Sequence, residues 1–168
     1  MSTEGKNLSH YDESKIPSAA NMVFVIIVSE WNRGITDNLK NGAYETLLKN
    51  GALKENIIVN YVPGSFELPV AANFHLKFNE EIDAIICLGS IIQGETRHFE
   101  FVCQATAAGV KDVAIKYNKP VIFGVLTDDN MQQAIDRSGG KHGNKGIECA
   151  IAAIKMVALH DELKYGKK

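Results

Sequence analysis

Four short runs, rich in β-branched residues and apolar on both faces, constrain this chain most: MVFVIIVS (22–29), NIIVNYV (56–62), IDAIICLG (82–89) and KPVIFGVLT (119–127). A strand with one face in water alternates apolar and polar residues. Runs that do not alternate read as strands covered on both sides, the pattern of a parallel sheet. The segments between them carry helical spacing. Ile35, Leu39, Ala43 and Leu47 recur every four residues, and Val110, Val113, Ala114 and Tyr117 fall at i, i+3, i+4 and i+7, so each set forms one apolar stripe. The first helix is expected to stop at Gly51 and a later one before Lys119-Pro120. A short helix carrying Met131, Ala134 and Ile135 should end at Arg137-Ser-Gly-Gly, and a final one should run from about Asn144 to Leu163. Strand–helix alternation with right-handed crossovers therefore predicts an α/β fold, a flavodoxin-like three-layer sandwich with a four-stranded parallel sheet and helices on both faces.

The length of 168 residues suits one domain, with 45% apolar and 23% charged residues to build and solvate a single core. Residues 1–18 are polar, contain Pro17 and lack periodicity, so they are expected to form a flexible arm or surface strand ahead of a domain spanning 19–168. Eighteen Lys and Arg against twenty Asp and Glu leave a formal charge of −2, which gathers no polyanion, so nucleic acid is not an expected partner. The longest apolar run, Met22 to Val28, is too short for a bilayer, and the polar start has no signal-peptide core; the expectation is a soluble, cytoplasmic protein without a membrane partner. Cys87, Cys103 and Cys149 are far apart, odd in number and outside any C-x-x-C, which argues against a disulfide framework or a zinc site.

Ligands of such sheets bind beyond the carboxyl ends of the strands. After the first strand comes Ser29-Glu30-Trp31-Asn32-Arg33-Gly34, whose Trp31 is the only tryptophan and could stack on a planar ligand or simply cover a core edge; no glycine-rich phosphate loop is present. After the second comes Pro63-Gly64-Ser65-Phe66-Glu67-Leu68-Pro69, a helix start where Ser65 and Glu67 could serve a polar heterocycle or merely cap the helix. The third segment, Gly89 to Phe99, is a glycine-punctuated turn entering a helix near His98. Its backbone N–H groups could hold a phosphate, and His98 is a candidate general base. After the fourth strand, Asp128 and Asp129 read as loop carboxylates and a helix cap, and Phe123 as a contact residue. Beyond them Arg137, Lys141 and Lys145 place three cations within nine residues, either a local anion site or a solvated junction between helices.

Together, Trp31-Asn32, PGSFELP (63–69), GSIIQGETRHF (89–99), PVIFGVLT (120–127) and QAIDRSGGKHGNKG (133–146) resemble the 6,7-dimethyl-8-ribityllumazine synthase family from about residue 21 onward. The resemblance implies condensation of 5-amino-6-(D-ribitylamino)uracil with 3,4-dihydroxy-2-butanone 4-phosphate, releasing phosphate and water, with no metal or organic cofactor. It also implies that Trp31 stacks on the pyrimidine, that Ser65, Phe66 and Glu67 line the ribityl and ring pocket, and that Ser90, Ile91 and Ile92 continue that wall. Glu95 and Thr96 match the pair binding the butanone phosphate, and His98 matches the proton-transfer histidine. Arg137 matches the phosphate-binding arginine, Phe123 an aromatic from the neighbouring subunit, and Lys145 is a further basic candidate. Many relatives carry a small residue where Glu95 stands, so binding there must use backbone N–H with the carboxylate turned away; Arg97 is a second departure and is left out of the site. The family implies a homo-oligomer of pentamers, with the short turn RSGGKHGNKG favouring a sixtymer shell, and brings in riboflavin synthase as a candidate partner. A flavodoxin-like flavin carrier and a non-catalytic cage protein are the competing expectations.

Overall fold

The computed structural model describes residue 7 and residues 9–166; the beginning of the expected arm, residues 1–6 and 8, lies outside the described residues, as do 167 and 168. Strands β1 (Phe24–Ser29), β2 (Ile57–Val62), β3 (Ala84–Ile92) and β4 (Val121–Asp128) alternate with helices α1 (Arg33–Lys49), α2 (Leu68–Phe78) and α3 (His98–Tyr117), followed by α4 (Met131–Arg137), strands β5 (Ser138–Gly140) and β6 (Gly143–Asn144), and α5 (Lys145–Tyr165). The first four strands form one parallel sheet in the order β2-β1-β3-β4; β1 and most of β3 are buried on both faces as expected, whereas β2 is an edge strand with Asn60 and Tyr61 exposed.

Each central strand divides its side chains between two cores. Phe24, Ile26 and Val28 of β1, with Ala84, Ile86 and Leu88 of β3, meet Leu39, Ala43 and Leu47 of α1 and Ala150, Ala153, Ile154 and Val157 of α5. Val25, Ile27, Ile85 and Cys87 face the other way, against Leu68, Ala72 and Leu76 of α2 and Val110 and Val113 of α3. This is the period-two consequence of a sheet with helices on both faces. Cys87 and Cys149 are buried and reduced, and burial pushes both thiols up to about 12, so they serve as small apolar side chains.

Element ends follow local chemistry. Asn50 and then Gly51, at φ +97°, close α1, and Asn118 at φ 51° closes α3 ahead of Pro120. Asn130 caps α4 by accepting from the Gln133 N–H at 3.0 Å, and Asn144 caps α5 by accepting from Gly146 N–H at 2.8 Å. One expectation changes here and another gains detail. The α4 cap is Asn130 rather than Asp128 or Asp129, because β4 runs on to Asp128 and buries it. The junction between α4 and α5 is solvent-exposed at residues 139–142, and its ends form an antiparallel β5–β6 pair, with Ser138 opposite Asn144, that the sequence pattern does not show. Asn144 is its hub: Nδ2 donates to the carbonyl of Asn38 at 2.9 Å, and its backbone N–H donates to Ser9 Oγ at 3.0 Å. The described part of the N-terminal segment lies along α1, with Glu13 paired to Lys49 and Ala19 N–H bonded to the Asn50 carbonyl.

Candidate functional site

The strand order reverses direction between β1 and β3, since the chain leaves β1 for β2 on one side and later places β3 on the other. Two connections diverging from adjacent strand ends leave a crevice between them. A cleft of about 590 Å³ opens there, lined by Trp31 and Asn32 after β1, Gly64 to Phe66 after β2, Ser90 to Ile92 at the end of β3, Gly94, Thr96, His98, Phe99 and Val102 leading into α3, and Met131 of α4.

Three local devices shape it. Asn32 takes the left-handed conformation (φ 58°, ψ 47°), turning the chain sharply into α1, and its Nδ2 donates to the Ser90 carbonyl at 3.0 Å. That bond ties the β1 loop to the β3 wall and leaves Trp31 72% exposed, with its ring open to a ligand. Gly89 is the second device: a Cβ there would strike Ser65 Oγ and come within 3.2 Å of Leu68, so only glycine lets the 63–69 segment lie against β3. Ser65 is consequently buried and does not cap α2 through its side chain; its carbonyl accepts from Thr106 Oγ1 at 3.4 Å. Third, Thr96 Oγ1 accepts the His98 N–H at 3.3 Å at the start of α3, which puts the exposed His98 ring beside a helix N-terminus, a ready place for an anion. The Ser90 hydroxyl is buried in the wall without a hydrogen-bond partner among the described residues.

The cleft thus gathers Trp31, Ser65, Phe66, Ser90, Ile91, Ile92, Thr96 and His98. Glu67 is half-buried and Glu95 exposed, both next to lining residues but not among them. Phe123 lies in the middle of β4 opposite Cys87 and packs against the α2–α3 core, outside the chain's own cleft. Arg137 ends α4 facing Asp128, with Nε 4.0 Å from Oδ1, and Lys145 begins α5 with Nζ 2.8 Å from Glu148 Oε1. Two of the three clustered cations therefore each face a carboxylate.

Comparison with known proteins decides the kinship. The family model for 6,7-dimethyl-8-ribityllumazine synthase matches residues 21–161. The chain is 56% identical over 158 residues to the 6,7-dimethyl-8-ribityllumazine synthase of Cytophaga hutchinsonii, covering 94% of this chain and 98% of the relative. It is 52% identical over 167 residues to the one from Christiangramia forsetii, covering 99% of each. The chain belongs to the 6,7-dimethyl-8-ribityllumazine synthase family. The matched span contains the whole cleft.

Sequence patterns alone do not single out several lining residues of this lumazine synthase family member. Asn32 stands beside the tryptophan, but its left-handed turn and bond to Ser90 join positions 58 residues apart. Phe99 and Val102 share a helix face three residues apart, a readable signal once α3 is known to start at His98. Met131 reaches the cleft only because β4 and α4 fold back beside β3, and no local pattern announces it.

Proposed function

We propose that this chain condenses 5-amino-6-(D-ribitylamino)uracil with 3,4-dihydroxy-2-butanone 4-phosphate to give 6,7-dimethyl-8-ribityllumazine, phosphate and water. The observation that carries the reading is the cleft itself, which joins an exposed indole, a largely apolar wall bearing Ser65 and Ser90, and a histidine at a helix N-terminus within a family member's matched span. Trp31 stacks on the pyrimidine, and Ser65, Phe66, Glu67, Ser90, Ile91 and Ile92 hold the ring and ribityl chain. Thr96 and the backbone beside Glu95 receive the phosphate, and Arg137 and Lys145 supply positive charge.

The amine of the uracil attacks the ketone, and the carbinolamine loses water to form an imine. Elimination of phosphate leaves an enol that tautomerises to a new ketone; the ribityl-bearing nitrogen attacks that ketone and a second water leaves, which closes the second ring. Each step moves a proton, and His98 is the group placed to carry it. The cations stabilise charge gathering on the departing phosphate. Because the two substrates react with each other readily, holding them face to face supplies much of the rate.

Phe123, Arg137 and Lys145 lie outside the chain's own cleft, which supports their entering the cleft of an adjacent copy in a homo-oligomer. An exposed stripe at spacing four, Phe66, Val70, Phe74 and Phe78, with Phe78 77% exposed, supports the same reading, since such a face is ordinarily covered. The assembly is a pentamer, with the compact 138–144 connection favouring twelve pentamers in a shell, formed in the cytoplasm by residues 19–168 as one lumazine synthase domain. Riboflavin synthase, which consumes the lumazine, is its candidate partner. Among the described residues no helix is long and apolar enough to cross a membrane.

The test is optical. Colourless purified protein given both substrates should produce the fluorescent lumazine and one phosphate per product. Folded protein that arrives coloured by tightly held flavin and forms no lumazine supports a carrier instead, and colourless protein without turnover supports an inactive cage.

A further inference from the structure

β4 ends on a carboxylate in a costly place. The Asp128 side chain is 6% exposed and its Oδ2 has no hydrogen-bond partner among the described residues. Burial pushes its carboxyl up from the ordinary value, with Asp129 adding in the same direction and Arg137 opposing. A neutral side chain would fill this position at lower cost. Nor is the charge needed for the local fold: the Asp128 carbonyl accepts from Gln93 N–H at 2.9 Å, and Asn130 caps the following helix.

The cation facing Asp128 is Arg137, from the far end of α4. Its side chain runs back along the seven-residue helix until Nε stands 4.0 Å from Asp128 Oδ1, and only 26% of it is exposed. Asp128 is in register with Ile92, which lines the cleft, so the pair lies at the level of the cleft's wall on the β4 edge of the sheet.

We propose that Asp128 is a positioning residue that turns the Arg137 guanidinium back to the C-terminal edge of the sheet and orients it to receive the substrate phosphate in an adjacent copy's cleft. The inference rests on reading Arg137 as a phosphate-binding residue. Asp128 Oδ1 faces the Nε side of the guanidinium at 4.0 Å, an ion-pair separation longer than a hydrogen bond, and the opposite side of the fork is the one that would meet the anion.

The sign of one substitution separates this from the alternative that Asp128 is merely an opposing negative charge. Asp128→Asn keeps the shape and removes the charge. We expect a KM for the butanone phosphate raised about fivefold or more, weaker binding of inorganic phosphate by calorimetry, a kcat lowered by less than that KM is raised because Arg137 also faces the departing phosphate, a KM for the uracil within about twofold, and a Tm little changed, since the relief of burying a charge offsets the loss of Arg137's partner. In an Arg137→Ala background the same substitution should have no further effect on KM. Asp128→Ser provides the same comparison should the asparagine variant not fold. A KM that falls or stays unchanged overturns the proposal. So does an equal loss in the Arg137→Ala background, or a drop in Tm accompanied by parallel losses in kcat and both KM values. Arg137→Ala that leaves the phosphate substrate's KM unchanged overturns the reading of Arg137 itself, whereas a raised KM there with a silent Asp128→Asn overturns the role of Asp128 alone.

Discussion

His98 opens α3 with its side chain exposed and its backbone N–H committed to Thr96 Oγ1. The loop thus places the ring at the cleft, which suits the proton-carrying role proposed for it. Replacing it with alanine removes the shuttle but leaves Trp31, Phe66 and the Ser90–Ile92 wall to hold the substrates. His98→Ala should therefore lower kcat by roughly 10²-fold, the low end for loss of an acid–base group, and leave measurable turnover. Steady-state rates check this; complete loss of activity in an intact assembly would show that proton transfer, not orientation, dominates. Trp31 and His98 were legible in sequence as cleft residues because the chain's only tryptophan stands two residues after β1 and the histidine opens α3 at the end of the loop that follows β3. Asp128 was not. As a letter beside Asp129 and Asn130 it reads as loop polarity, and only burial by β4 and the approach of Arg137 distinguish it from its neighbours.

Among the elements, contact between α1 and the start of α5 depends on small residues. A Cβ on Gly146 would run into the Leu39 carbonyl oxygen, and one on Gly42 would meet the Asn144 side chain at 2.7 Å. Gly146 is buried in the first turn of α5, next to the Asn144 cap, so the backbone of α1 has little room to retreat. Gly146→Ala should destabilise the protein by about 3 kcal/mol or more, an overpacking effect that outweighs alanine's better helix propensity. In a chain of this size that is a fall in Tm of roughly 6–12 °C. Gly34, in the first turn of α1 with nothing within 4 Å of the place a Cβ would take, is the matched comparison: Gly34→Ala should hold or raise Tm. Scanning calorimetry of the two variants checks the pair, and equal shifts would show that the α1–α5 contact is looser than its geometry. The helices and parallel strands themselves were readable from period alone. The β5–β6 pair was not, because Ser138 to Asn144 carries no apolar alternation, and its pairing is held by the Asn144 side chain reaching Asn38 on another helix.

For the whole molecule, the exposed aromatic stripe on α2 and the position of Phe123, Arg137 and Lys145 outside the chain's own cleft bear on assembly. A lone chain would present Phe66, Phe74 and Phe78 to water, together with Phe101 and Ile115 on α3. Burial of large apolar side chains contributes about 1.5–3 kcal/mol each before the costs of association, enough to favour a stable oligomer. Light scattering should give a mass several times the chain's 18.4 kDa, close to five chains or a multiple of five. Electron microscopy then separates free pentamers from closed shells, and a monomer with full activity would overturn the shared-cleft reading.

The amino-acid order by itself determined the layers: the apolar central strands demand cover on both faces, and stripes of period 3.6 provide it, so the α/β sandwich and the sheet edge at which its cleft opens follow from local patterns. Tertiary structure decided which side chains meet there. Asn32 bonding to Ser90, Gly89 admitting Ser65, Met131 arriving from beyond β4 and Arg137 doubling back to Asp128 all join residues distant in sequence or separated by a full element. Periodicity reports how a residue faces its own element, whereas these contacts depend on strand order and on how the connections cross, which are set by packing of the entire chain.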